Sequence, residues 1–164
     1  MRFSLLLLFL SVAVSGWAQS HSAEINTHVW KPFIEAFNGY ESDRFLSLHS
    51  QDLVRSARDG KQVLTWAQYL GETRQGQARD KERGNKRTLE LRFTERLSNG
   101  QQAIDVGIYK TVYVLTNGTT EAYYGRFHVV LRKENNRWKI LVDTDSSENG
   151  TIGERDFLAA QPLE

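Results

Sequence analysis

The chain predicts an α+β fold, with helices first and a long antiparallel meander after them. Three observations carry this. Asn99-Gly100, Asn117-Gly118 and Asn135-Asn136 stand at a constant spacing of eighteen residues. The segments between them are rich in β-branched and aromatic residues, and Asn-Gly between such segments is a strong hairpin signal. Apolar residues ahead of them recur at helical spacing. The four strands of the meander should occupy about residues 86 to 146.

From the N-terminus, Met1-Arg2 is a short basic start, and Leu5 to Val14 is an apolar run too short to span a bilayer. Gly16-Trp17-Ala18 places small residues where a signal peptidase reads them. Residues 1–18 are therefore expected to be a secretory signal, leaving a secreted or periplasmic chain that begins at Gln19. No later stretch predicts a membrane span. With no cysteine, the 164-residue chain has neither disulfides nor thiolate metal sites, nor the lipidated cysteine of a lipoprotein. Removing Arg2 with the signal leaves 20 basic residues against 20 acidic ones. Nothing global favours nucleic acid or an anionic membrane.

Ile25, Val29, Phe33 and Phe37 predict a first helix over residues 24–38, in which Pro32 must lie in a first turn or make a kink. Ser42 should cap a short helix to Leu48, and Asp52 to Ala57 reads as a strand ended by Asp59-Gly60. Thr65-Trp66-Ala67-Gln68 is a capping box opening a third helix that fades from Arg74 to Arg87. That basic stretch is either a solvated helix end or an anion patch. It has no interleaved aromatics to stack bases.

Two-residue turns at the three Asn sites set a register for the meander. One row then runs Arg92, Gly107, His128, Asp143, and the next runs Glu90, Tyr109, Arg126, Asp145. The other face collects Leu89, Leu91, Phe93, Ile104, Val106, Ile108, Val112, Val114, Phe127, Val129, Leu131, Trp138, Ile140 and Val142. This alternation predicts one apolar face, with Val129 beside Val142, for the helices to cover. Strands of about sixteen residues far exceed the usual length and must coil, with Gly107 and Gly125 as bend points.

With these elements in order, the chain resembles the SnoaL-like branch of the nuclear transport factor 2-like superfamily. The resemblance rests on Phe33-Ile34-Glu35-Ala36-Phe37-Asn38-Gly39-Tyr40, on Asp52 to Gly60, on Gly125-Arg126-Phe127-His128-Val129 and on Trp138-Lys139-Ile140. It implies a cone spanning residues 19–146, a strongly curved sheet wrapped on three N-terminal helices. A pocket at the wide end and a homodimer go with it. Steroid isomerases of the superfamily use a base at the position matching Ala57 and a tyrosine at that matching Phe33, and their later aspartate matches about His128. The base and tyrosine are absent here, so that isomerisation is not expected.

His128, Asp143 and Tyr109 form the candidate catalytic set, because the register places Asp143 where it could orient the imidazole. The same residues fit an ordinary cross-strand charge ladder. Trp30, Phe33, Phe37, Trp66 and Tyr69 are either core or the lining of a pocket for an apolar small molecule. From the end of the last strand into the tail, residues 147–164, Asp145, Ser147, Asn149, Thr151 and Asp156 fall at calcium-loop spacing around Gly150. The alternative is a capping box at Thr151 and Glu154 opening a short helix to Ala160. Calcium is the one cofactor this pattern admits. The expected function is binding of an unidentified apolar small molecule. The alternatives are a cyclase, dehydratase or hydrolase built on His128 and Asp143, and an interaction module with a filled pocket.

Overall fold

A computed structural model describes residues 21–164. The apolar run and cleavage site fall in residues 1–20 and lie outside the described residues. Among the described residues, no helix is long and apolar enough to cross a membrane.

The first helix runs through Pro32 by changing its winding. Asn26–Trp30 is a π-helical turn leading directly into α1 (Lys31–Asn38). Lys31 N–H donates to Asn26 O, five residues back, and the widened turn makes room for a ring that cannot donate. Helix α2 spans Ser42–Ser47, with Glu41 rather than Ser42 at its N-cap. Strand β1 (His49–Ala57) begins three residues before the expected strand, and after a turn β2 (Gln62–Thr65) pairs back on it, a strand the sequence pattern does not anticipate. Helix α3 (Trp66–Glu82) starts on the expected capping box, with Thr65 N–H donating to Gln68 Oε1 at 2.9 Å.

The meander consists of β3 (Lys86–Ser98), β4 (Gln102–Val114), β5 (Thr120–Glu134) and β6 (Arg137–Ser146). Helix α4 (Glu154–Ala159) and the two-residue β7 (Gln161–Pro162) follow. All seven strands form one curved sheet in the order β2-β1-β6-β5-β4-β3-β7, with β1 parallel to β6. The α+β cone is as expected, but the tail is part of it. Strand β7 pairs with Arg92 and Phe93, and Ile152, Phe157 and Ala160 cover Ile108 on the convex side.

The register differs from the expected one, and bulges are the main cause. At the β3–β4 turn, Asn99 N–H donates to Gln102 O, so Gly100 and Gln101 are the central residues. A bulge at Thr94 then shifts the pairing, giving Phe93↔Gly107 and Arg92↔Ile108. A Cβ on Gly107 would stand 2.0 Å from Arg92 O and 2.5 Å from the Phe127 ring, so the strands close up here on a residue without a side chain. Between β4 and β5 the Asn117 turn holds three residues, 116–118, because Leu115 N–H donates to Thr119 O. In β6 a second bulge follows Ile140, so Leu131 pairs with Ile140 but Val130 with Val142.

A one-residue slip reverses a strand's faces. The inner face of β4 is therefore Ala103, Asp105, Gly107, Tyr109 and Thr111, and Ile104, Val106, Ile108, Val112 and Val114 point to the convex side. Past its bulge, β6 turns Asp143 and Asp145 inward, opposite Val129 and Phe127. The expected neighbours Val129–Val142 and Arg126–Asp145 are therefore on opposite faces.

One end of the inner face is packed solid. Ile25, Val29 and Trp30 lie on Phe93, Ala103, Leu131, Trp138 and Ile140, all at most 3 % exposed. Trp30 Nε1–H donates to the buried Asp105 at 2.7 Å, and Arg96 donates to the same carboxylate at 2.9 and 3.1 Å. The core polar group is thus fully satisfied. The other end of the inner face is not filled.

Candidate functional site

Beyond that packed end, a cavity of about 250 Å³ opens between α1, α2, α3 and the sheet. Trp30, Phe33, Phe37, Phe45, Tyr69, Tyr109 and Phe127 bring seven aromatic rings to it, with Leu89, Leu91, Val129 and Ile140 between them. Its charged part is a cluster of three residues, Arg55, Asp143 and Asp145, and Thr111 adds a hydroxyl.

Strand pairing builds that cluster. The parallel ladder sets Arg55 beside Asp143 and Ala57 beside Asp145, and the bulge after Ile140 aims both carboxylates inward. Arg55 Nη2 donates to Asp145 Oδ1 at 2.6 Å, and its Nη1 donates to Ser56 O at 2.8 Å and Asp143 O at 3.2 Å. Its Nε lies 3.5 Å from Asp143 Oδ2, too far for a good hydrogen bond. Among the described residues the Asp143 carboxyl accepts no hydrogen bond, and 14 % of its side chain remains accessible, at the cavity wall.

The electrostatics follow from this. Burial pushes the pKa of Asp143 above the carboxylate range, and Arg55 offsets that only in part. Burial also raises Asp145, against Arg55. For Arg55, burial works against the charge, but Asp143 and Asp145 outweigh it and hold the guanidinium protonated. Burial, with Asp145 and Asp59 next, pushes Tyr109 up to about 12, and burial raises Tyr69 as well. The cavity wall thus carries one cation, two carboxyls reluctant to ionise together, and two phenols that stay protonated.

His49 stands just outside the lining. Its ring is fully buried between Phe33, Phe45, Trp66 and Tyr69, 5.1 to 6.5 Å between centroids. Its Nδ1 lies 3.0 Å from Phe45 O, which can only accept, so Nδ1 carries the proton. Among the described residues the bare Nε2 has no partner, and burial lowers the pKa to about 4.

The sequence-derived candidates divide accordingly. Trp30, Phe33, Phe37 and Tyr69 line the cavity, whereas Trp66 packs beside it without reaching it. Tyr109 and Asp143 also line it, but His128 does not join them. His128 pairs with Val106 and Thr144 on the convex side and is exposed there, so Asp143 cannot orient its ring. Arg55 was missed, because a strand whose neighbour is unknown gives no reason to single out one arginine. Charges repeating every second residue at 143 and 145 were a usable signal once the bulge is allowed.

The calcium pattern is not assembled. Asp145 turns inward to Arg55, Ser147 Oγ accepts from Gly150 N–H, and Asp156 caps α4 by accepting from Gly153 N–H at 3.1 Å. Among the described residues, no three acidic or histidine side chains converge for a metal. The helix cap is at Gly153 rather than Thr151, and the helix ends at Ala159.

No family model matches the chain, and no curated protein matches it. Solved structures do. An NTF2-like protein with a cystatin-like fold from Novosphingobium aromaticivorans matches with a TM-score of 0.68 and 12% identity, over 94% of this chain and 99% of that one. An NTF2-like protein of unknown function from Shewanella oneidensis gives 0.60 and 22% identity, over 78% and 98%. A candidate dehydratase of the NTF2-like family from Streptomyces avermitilis gives 0.62 and 14% identity, over 78% and 96%. The fold is the NTF2-like cone.

Proposed function

We propose that the protein is an exported small-molecule-binding domain of the SnoaL-like kind, whose ligand is largely apolar and sits in the cone cavity. One observation carries the reading: seven aromatic rings surround unfilled space in a core that is otherwise close-packed. Calorimetric titration with 1-naphthol tests it. Saturable one-to-one heat is expected, and Leu91→Trp, which fills the cavity, should remove it. Equal heats from both proteins would place binding elsewhere.

A second reading is an acid–base enzyme of the dehydratase or cyclase class. The carboxyl of Asp143 favours it: burial raises its pKa, it accepts no hydrogen bond among the described residues, and it shares one cavity with the phenols of Tyr69 and Tyr109. His128 has no part in that version. Saturating ligand recovered chemically unchanged after long incubation would speak for the binder. An interaction module with a filled pocket fits less well with an open cavity.

Export rests on the apolar segment Leu5 to Val14 and on Gly16-Trp17-Ala18. N-terminal sequencing should find Gln19 first, and intact Met1 on exported protein would remove the proposal. Homodimerisation is proposed through the convex face. There Leu97, Ile104, Val130, Val142 and Val54 are successive ladder partners in one apolar row across five strands. Ile104, 44 % exposed, is its probe. Sedimentation should give a dimer that Ile104→Asp converts to monomer.

A further inference from the structure

We infer that the cavity takes an apolar amine, held by an ammonium N–H donated to the Asp143 carboxylate inside the ring of aromatic side chains. The inference rests on the cavity being the ligand site and adds the chemical class of the ligand.

Charge accounting leads to it. The wall holds two carboxyls and a single guanidinium. Arg55 is already engaged by Asp145 and by two backbone carbonyls, and only its Nε faces Asp143, at 3.5 Å. One carboxylate's worth of negative charge is therefore left without a hydrogen-bonded cation. Against a largely apolar wall that charge is stabilised by taking up a proton or meeting a cation. A ligand ammonium fills the second role, and donating from the side away from Arg55 it stands nearer the carboxylate than the guanidinium.

The rest of the lining suits the same group. Trp30, Phe33, Phe37, Tyr69, Tyr109 and Phe127 present π-systems, whose negative faces attract organic cations. To a ligand carboxylate or phosphate the lining offers no uncommitted cation, only the hydroxyls of Thr111, Tyr69 and Tyr109. The guanidinium is committed to Asp145 and two backbone carbonyls, and an anion would face the Asp143 carboxyl as well. A neutral ligand could instead accept a hydrogen bond from a protonated Asp143, and this is the alternative the test must separate.

The test uses three probes of one shape: 3-phenylpropylamine, 3-phenylpropan-1-ol and 3-phenylpropanoate. Each is titrated calorimetrically into the purified protein at pH 7. The amine is expected to bind at least tenfold more tightly than the alcohol, and the carboxylate most weakly. Asp143→Asn should lower amine affinity at least tenfold, with circular dichroism checking the fold. Should that variant not fold, the ranking in the unmutated protein decides by itself. Alcohol binding as tight as amine binding, or tighter, overturns the amine inference and leaves the apolar cavity standing. Failure of all three probes overturns the cavity as a ligand site, and the amine with it.

Discussion

His49 ties the stability of the fold to pH in a way that can be calculated. Its folded pKa is about 4, against 6.5 for the free side chain, because burial disfavours the imidazolium. Above pH 6.5 both folded and unfolded chains hold it neutral, so it adds no pH dependence. Below 6.5 the unfolded chain binds a proton that the folded chain refuses, and stability falls until the folded pKa is reached. The loss attributable to His49 is about 1.4 kcal/mol at pH 5.5 and about 3 kcal/mol at pH 4. Asp143 and Asp145 act in the opposite sense, since their raised pKa values mean that the folded chain takes up protons first as the pH falls. A comparison with His49→Leu removes their contribution. The variant loses the bond to Phe45 O at every pH, which offsets its curve without tilting it. Urea unfolding followed by tryptophan fluorescence from pH 7.5 to 4 gives both curves. The unmutated protein should lose about 3 kcal/mol more than the variant over that range. Parallel curves would refute a buried, neutral His49.

Other expectations follow from the observed register. Val129→Asp places a carboxylate in the core opposite Asp143 and should cost roughly 3 kcal/mol or more, whereas Arg126→Ala removes only a half-exposed pair with Glu148 and should cost about 1 kcal/mol or less. Equal costs in chemical denaturation would mean that the faces are assigned wrongly. Gly107→Ala sets a methyl against Arg92 O and the Phe127 ring; it should cost several kcal/mol and lower the melting temperature, while Gly118→Ala, with nothing within 4 Å but a φ of +86°, should cost about 1 kcal/mol. Arg55→Met leaves two carboxyls at the cavity wall without a cation and should cost roughly 3 to 5 kcal/mol at pH 7, and less as the pH falls, since burial favours their protonated forms. Millimolar calcium should give no heat and no rise in melting temperature, because Asp145 and Asp156 are turned to Arg55 and to the α4 cap.

The fold was legible because it is written in local signals. The three Asn turns mark all four long strands, and Thr65 with Gln68 marks the start of α3. What the sequence could not convey is parity. The bulge at Thr94 reverses the faces from there through β4, until the three-residue turn at 116–118 restores them, and the bulge after Ile140 reverses the rest of β6. The apolar set Ile104, Val106 and Ile108 looks like core, yet it lies on the convex side, where α4 covers Ile108. Asp143 and Asp145 look like surface residues, yet they face the cavity. Gly107 was a fair sign of distortion, but a glycine does not say which strand carries the extra residue. The site was legible to a similar depth. Aromatic residues on α1 and α3 could be placed above the sheet from periodicity, but Arg55 depends on the parallel pairing of β1 with β6, a contact between residues about ninety positions apart that leaves no local trace.

Native mass spectrometry of the protein purified from its own host tests the central claim, that the cone cavity holds a small molecule. The unmutated protein should carry a discrete added mass per chain that is released on denaturation, and Leu91→Trp, purified in the same way, should carry none. An adduct retained by the filled variant, or an unmutated chain that is always bare while 1-naphthol also fails to bind it, would contradict the claim.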